Sequence, residues 1–197
     1  MPHLIFVIDP MCSWCWGFHP VIQELREKYS DKYNFSLVVG GLRTKAQMPW
    51  DNESKQYLAQ NWNAVAQQTK QPFSFSLLNR KTFDYDTYPA CKAIVTVREL
   101  WGEKASFEYL EKIQEAFYAN GEDTTSIQIL LNYVKNRENF LEFYKSERAE
   151  ILMRHDFAKA RSMGANSFPS VIKIDNNGHM VCQKGYQTMD DIFAMLF

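Results

Sequence analysis

HLIFVIDPMCSWCWGFHP, residues 3–20, runs a buried-strand pattern straight into two cysteines three positions apart. His3–Ile8 is a continuous apolar, β-branched run closed by Asp9-Pro10, a composition that predicts a strand followed by a turn. Beyond the cysteines, Phe18, Val21, Ile22, Leu25 and Tyr29 recur at three- and four-residue intervals, so Cys12 is expected in the first turn of a helix ending near Ser30. A thiol there lies near backbone N–H groups without intrahelical partners and near the positive end of the dipole, which favours its thiolate. The thiolate is the nucleophile. Cys15, one turn deeper on the same face, is within reach of Cys12 and more buried. The pattern predicts an attacking Cys12 and a Cys15 that resolves the mixed disulfide.

Three other readings of the pair stay open. Zinc needs two further ligands, and neither Cys91, Cys182 nor the four histidines form a second closely spaced pair, so no metal is expected. Two core cysteines placed together by chance is the second. A lone Cys12 nucleophile or thiol binder, with Cys15 incidental, is the third.

Working outward, NFSLVV (34–39) is a second buried strand ended by Gly40-Gly41, and strand, helix, strand predicts a parallel pair. Helical periodicity then takes over: 52–70 with Tyr57, Leu58, Trp62 and Val65, then a helix from Pro89 with Ala93, Ile94, Val97, Leu100 and Trp101. Phe107 to Phe117, Ile127 to Val134 and Phe140 to Tyr144 mark three more, and 147–163 a last one stopped by Gly164. Residues 71–88 lack a clean period and are expected to be mostly loop. SVIKI (170–174), the turn residues 175–178 and 180–184 form a hairpin, after which Thr188 caps a helix holding Ile192, Phe193, Leu196 and Phe197. The expected organisation is an α/β unit from residues 1–43 and 147–197, with residues 44–146 inserted as an all-α subdomain.

With 197 residues, 46% of them hydrophobic and 15% aromatic, the chain can build a core without disulfide staples. A net charge of −1 leaves no basic field for nucleic acid. Four unevenly spaced cysteines do not make a secreted scaffold, LIFVI is too short for a signal core, and no apolar run approaches membrane length. Cytoplasmic location, with thiols kept reduced, is expected.

A strand leading into Cys-x-x-Cys at a helix start, Pro20 eight residues past Cys12, and Phe168-Pro169 opening a later strand and hairpin together resemble the thioredoxin fold. The helical insertion resembles its DsbA-like branch, and IDPMCSWCWGF (8–18) with YPACKA (88–93) is similar to cytoplasmic members described as disulfide isomerases. The resemblance implies a thiol-disulfide oxidoreductase exchanging disulfides with protein substrates through CSWC. Its partners would be protein thiols and disulfides or glutathione, and it would need no metal or organic cofactor. It implies Cys12 as attacker, Cys15 as resolver and Pro169 as a cis-proline that leaves the Phe168 backbone free to pair with an extended substrate. Read alone, residues 167–170 fit an ordinary turn before a strand equally well. Substrate contact falls to Trp14, Phe168 and Pro169; Met11, Trp14, Trp16 and Phe168 gather apolar surface around the sulfurs for unfolded peptide, with Trp14 the better candidate for exposure and Trp16, inside the helix, equally readable as core.

Two departures from that family matter. Relatives often carry a buried carboxylate six residues before the first cysteine, where this chain has Phe6; Asp9 could serve instead, although a turn-forming role beside Pro10 is commoner. Strongly oxidising relatives place histidine before the resolving cysteine, where this chain has Trp14, so a less acidic Cys12 and a less oxidising disulfide are expected. His19 is expected to be a packed or surface residue. Cys91 and Cys182 are expected to be small buried residues, a bridge between them being the alternative. The insertion also resembles kappa-type glutathione transferases and 2-hydroxychromene-2-carboxylate isomerases, which act on small molecules and generally lack the second cysteine. A non-catalytic module binding apolar peptides is the third class.

Overall fold

The computed structural model describes residues 1–45 and 48–196. Strand β1 (His3–Ile8) sits inside a four-stranded sheet of order β2-β1-β3-β4. Helix α1 (Ser13–Lys28) crosses over to β2 (Asn34–Val39), which runs parallel to β1 with His3 opposite Asn34 and Ile8 opposite Val39. On the other side β3 (Ser170–Ile174) pairs antiparallel, and β4 (Met180–Lys184) returns from it. Asp175 builds the hairpin turn by accepting the N–H groups of Asn177 and His179, while Gly178 takes a φ of 83° that a side chain would strain.

Between β2 and β3 come α2 (Asn52–Thr69), α3 (Tyr88–Tyr118), α4 (Ile127–Leu130), α5 (Arg137–Tyr144) and α6 (Glu147–Ser162); α7 (Met189–Leu196) follows the hairpin. Asp51, Asn136 and Ser146 cap α2, α5 and α6 by accepting an N–H three residues on. Thr188 and Asp191 bond reciprocally at the start of α7. Pro20 inside α1 leaves the Trp16 carbonyl without its helical donor, and the Gln71 side chain supplies one at 3.0 Å.

The helices differ from expectation in places. The two helices expected on either side of Gly102 are both present and follow each other directly within Tyr88–Tyr118 (α3), joined at a kink where Gly102 adopts the non-helical φ 86° and ψ 175°. The segment expected to be helical from Ile127 to Val134 holds one α-turn and a 3-10 turn, Leu131–Tyr133, before Val134 turns extended. A 3-10 turn, Ser76–Asn79, interrupts the expected loop at 71–88. Cys12 is the N-cap of α1, one residue ahead of its first turn, and α1 ends at Lys28. Phe197 lies outside the described residues.

Alternation along β1 divides the core. Leu4, Phe6 and Ile8 join Phe18, Trp62, Ile94, Phe117 and Phe140 in a cluster that runs from the sheet and α1 through α2, α3 and α5. Ile5 and Val7 face a smaller cluster with Val38, Ile172, Ala160 and Ala165. The outer edge of β2 is closed by side chains. Leu37 N–H donates to the Glu103 carboxylate, Val39 N–H to Asp156 at 3.0 Å, and Arg98 donates to the Leu37 carbonyl while pairing bidentately with Asp156 at 2.8 Å. Among the described residues no helix is long and apolar enough to cross a membrane.

Candidate active site

β1 delivers the chain into the site, and Asp9 turns it. Asp9 Oδ1 accepts Met11 N–H at 2.9 Å and the Asp9 carbonyl accepts Cys12 N–H at 3.1 Å, so Cys12 starts α1 in extended geometry with no side-chain cap. Its carbonyl accepts the N–H groups of Cys15 and Trp16. Cys12 is 7% exposed and Cys15 fully buried, and both are free thiols in contact with each other. Burial pushes the Cys15 thiol well up; the hydrogen bond and charge of Cys12 act in the same direction, against a backbone hydrogen bond from Asp9.

Cys12 Sγ donates to the Phe168 carbonyl at 3.5 Å, and the Phe168–Pro169 peptide is cis. The Phe168 ring packs against Gly40, where a Cβ would overlap it. Among the described residues no acceptor takes the Phe168 N–H. A cavity of about 320 Å³ opens over Cys12, walled by Trp14 and Phe168 on one hand and by Arg43, Tyr57 and Asn61 on the other. The inserted helix α2 therefore contributes directly to the wall.

The structure brings Cys12, Cys15, Trp14, Phe168 and Pro169 together, but the expected apolar patch is smaller than predicted. Met11 and Trp16 are buried: Trp16 stacks on Tyr118 and donates through its indole N–H to the Pro72 carbonyl, so only Trp14 and Phe168 remain half-exposed. Trp14 leans on Tyr186, ring centroids 5.6 Å apart. His19 is packed, bonded to Gln114 at 3.1 Å with its pKa lowered by burial. Phe6 is core, stacked on Phe35.

Asp9 is more than a turn residue. It is fully buried, accepts Leu42 N–H at 2.6 Å and the Cys91 thiol at 3.6 Å, and burial raises its pKa against the pull of these bonds. Cys91 is thus buried as expected yet polar in its contacts, while Cys182 is half-buried; both are free thiols. Tyr85, in the stretch read as loop, is a further site residue the sequence did not show. Its hydroxyl donates to the Met11 carbonyl at 2.8 Å, beneath the cavity. Among the described residues no three His, Cys, Asp or Glu side chains gather to hold a metal.

The sequence profile described as thioredoxin matches residues 5–191. The chain belongs to the thioredoxin family. Its fold is the DsbA-like form of that architecture. A crystal structure from Nitrosomonas europaea, described as a candidate protein disulfide isomerase, superposes with a TM-score of 0.88 at 29% identity, covering 99% of this chain and 95% of that one. The cytosolic disulfide reductase DsbM of Pseudomonas aeruginosa shares the fold with a TM-score of 0.79 at 24% identity over 98% and 96%, and is also known in a structure with glutathione. Among curated proteins, the ClpXP adapter protein SpxH of Bacillus licheniformis is 26% identical over 168 residues, 83% of this chain and 55% of the relative. This thioredoxin-family chain spans about half the length of the curated relatives it matches. Its structural neighbours support a redox role.

Proposed function

We propose that the protein is a cytoplasmic thiol-disulfide oxidoreductase acting on protein disulfides through Cys12 and Cys15. One observation carries the reading: a rim thiol at a helix N-cap touches a fully buried partner thiol under a cavity beside Phe168-Pro169. The Cys12 thiolate attacks one sulfur of a substrate disulfide; that S–S bond breaks, a Cys12–substrate bond forms, and the departing thiolate takes a proton. Cys15 then loses its proton, which we assign to Asp9, and attacks Cys12 Sγ. The Cys12–Cys15 bond closes and the second substrate thiol leaves. An extended substrate segment accepts the unpaired Phe168 N–H, with Trp14 beside it. Whether the pair reduces, oxidises or isomerises follows its potential relative to the compartment, about 30 mV per tenfold in the equilibrium.

Residues 44–146 act in this reading as the subdomain that walls the cavity, on the 1–43 and 147–197 unit that carries the sulfurs. Its cytoplasmic setting draws support from the description of DsbM as cytosolic.

Insulin reduction by the full chain tests the proposal, with Cys12→Ser and Cys15→Ser alongside. Both variants are expected to lose turnover, and Cys15→Ser to accumulate mixed disulfides with protein. Undiminished turnover in Cys15→Ser would instead support a single-thiol, glutathione-dependent enzyme acting on small molecules. The curated relatives named as adapters support a different second reading, a non-catalytic binding module. It predicts peptide affinity indifferent to Cys12→Ser and no insulin reduction.

A further inference from the structure

The cavity at Cys12 contains a guanidinium that the protein leaves unneutralised. Arg43 follows β2 and lines the cavity with Cys12, Tyr85, Asn61 and Ser167. Its backbone is pinned on both sides: Arg43 N–H donates to Thr87 Oγ1 at 3.2 Å, and the Arg43 carbonyl accepts Thr87 N–H at 2.6 Å. The guanidinium carbon stands 4.9 Å from the centroid of the Tyr85 ring. Among the described residues no carboxylate lies within ion-pair distance of Arg43, and its guanidinium makes no hydrogen bond. Arg98 and Arg80, by contrast, are paired with Asp156 and Asp123.

A half-buried planar fork of donors, fixed by its backbone and stacked on a ring, is suited to a carboxylate. We propose that Arg43 binds the carboxylate of a low-molecular-weight thiol whose sulfur exchanges with Cys12, so that the cavity selects acidic thiols as its redox partner. This rests on the thiol-disulfide reading above and adds the residue that sets partner choice. The volume of about 320 Å³ matches the lower end of small-ligand cavities, about 300 to 1,000 Å³. Asn61, Asn166 and Ser167 supply neutral hydrogen-bonding groups around it.

The chemistry balances with two thiols. The first, as thiolate, attacks Cys12 Sγ of the Cys12–Cys15 disulfide; that bond breaks and Cys15 leaves and is protonated. The second attacks the ligand sulfur of the mixed disulfide, releasing the Cys12 thiolate and one molecule of ligand disulfide. Two ligand thiols are oxidised and one protein disulfide is reduced.

Rapid-mixing reduction of the oxidised full chain by glutathione and by uncharged 2-mercaptoethanol tests this in wild type, Arg43→Gln and Arg43→Lys. The ratio of the glutathione rate to the 2-mercaptoethanol rate is expected to fall about tenfold in Arg43→Gln, the scale of a lost charge-assisted hydrogen bond, with partial recovery in Arg43→Lys. Raising the salt should lower the ratio in wild type and leave it flat in Arg43→Gln. An unchanged ratio overturns the proposal. Failure of both thiols to reduce the oxidised protein sinks the exchange reading itself. Should Arg43→Gln not fold, glutathione diethyl ester, blocked at both carboxylates, poses the same question on wild type: a lost advantage supports Arg43, and rates equal to those of glutathione overturn it.

Discussion

Asp9 accepts N–H groups from Met11 and Leu42 and the thiol of Cys91 while fully buried. Burial raises its pKa above the ordinary 3.8, so the folded chain holds that proton more tightly than the unfolded one. The contribution to stability is therefore complete below about pH 4 and is lost as pH rises through the folded-state value. Asn does not titrate, so Asp9→Asn should gain on wild type in urea unfolding as pH goes from 4 to 8. A constant gap across that range would mean that folding does not raise the Asp9 pKa, against the direction its burial gives. Gly40 makes a steric prediction instead. A Cβ there meets the Phe168 ring at 2.0 Å, so Gly40→Ala should lower stability by about 1 to 3 kcal/mol in denaturant melts, and slow insulin reduction by moving the Phe168 carbonyl off Cys12. At this scale the grouping of Cys12, Cys15, Trp14 and Phe168-Pro169 into one candidate site was legible because each sits in a short motif. Tyr85, Arg43 and the thiol contact of Asp9 were not, since they arise only when residues some 30 to 80 positions apart are folded together.

Among the elements, the four strands were legible to the residue, because β1 is a nearly continuous apolar run and the other three are short runs carrying apolar or β-branched residues, each bounded by turn residues. The helices were legible as apolar stripes, but a stripe does not tell whether Gly102 separates two helices or kinks one. Nor did any pattern announce the closed edge of β2, which depends on Glu103, Arg98 and Asp156 reaching backbone groups from other elements. Asp156 holds both that backbone and Arg98, and removing it leaves a largely buried guanidinium unpaired. Asp156→Ala is expected to cost about 3 kcal/mol in urea or thermal unfolding. A loss below about 1 kcal/mol, the scale of an exposed pair, would contradict the edge-sealing role.

Over the whole molecule, the apolar cluster shared by the sheet, α1, α2, α3 and α5 ties the inserted helices to the strands that flank them in sequence. Chain order suggested an insertion; the common core predicts that it unfolds together with the sheet. Tryptophan fluorescence, reporting on Trp14 and Trp16 in α1 and on Trp50, Trp62 and Trp101 in the inserted region, should change at the same urea concentration as far-ultraviolet circular dichroism. Two separated midpoints would show that the insertion melts by itself. The sealed flank of β2 has one more consequence, for behaviour in crowded solution. An open strand border can template other chains into fibrils, and here that hazard lies at the opposite border, where Met180 and Val181 of β4 stand half-bare. Lysines at those two sites should raise the concentration the protein tolerates before clumping, without touching the sulfur chemistry on the other side of the sheet's central strands.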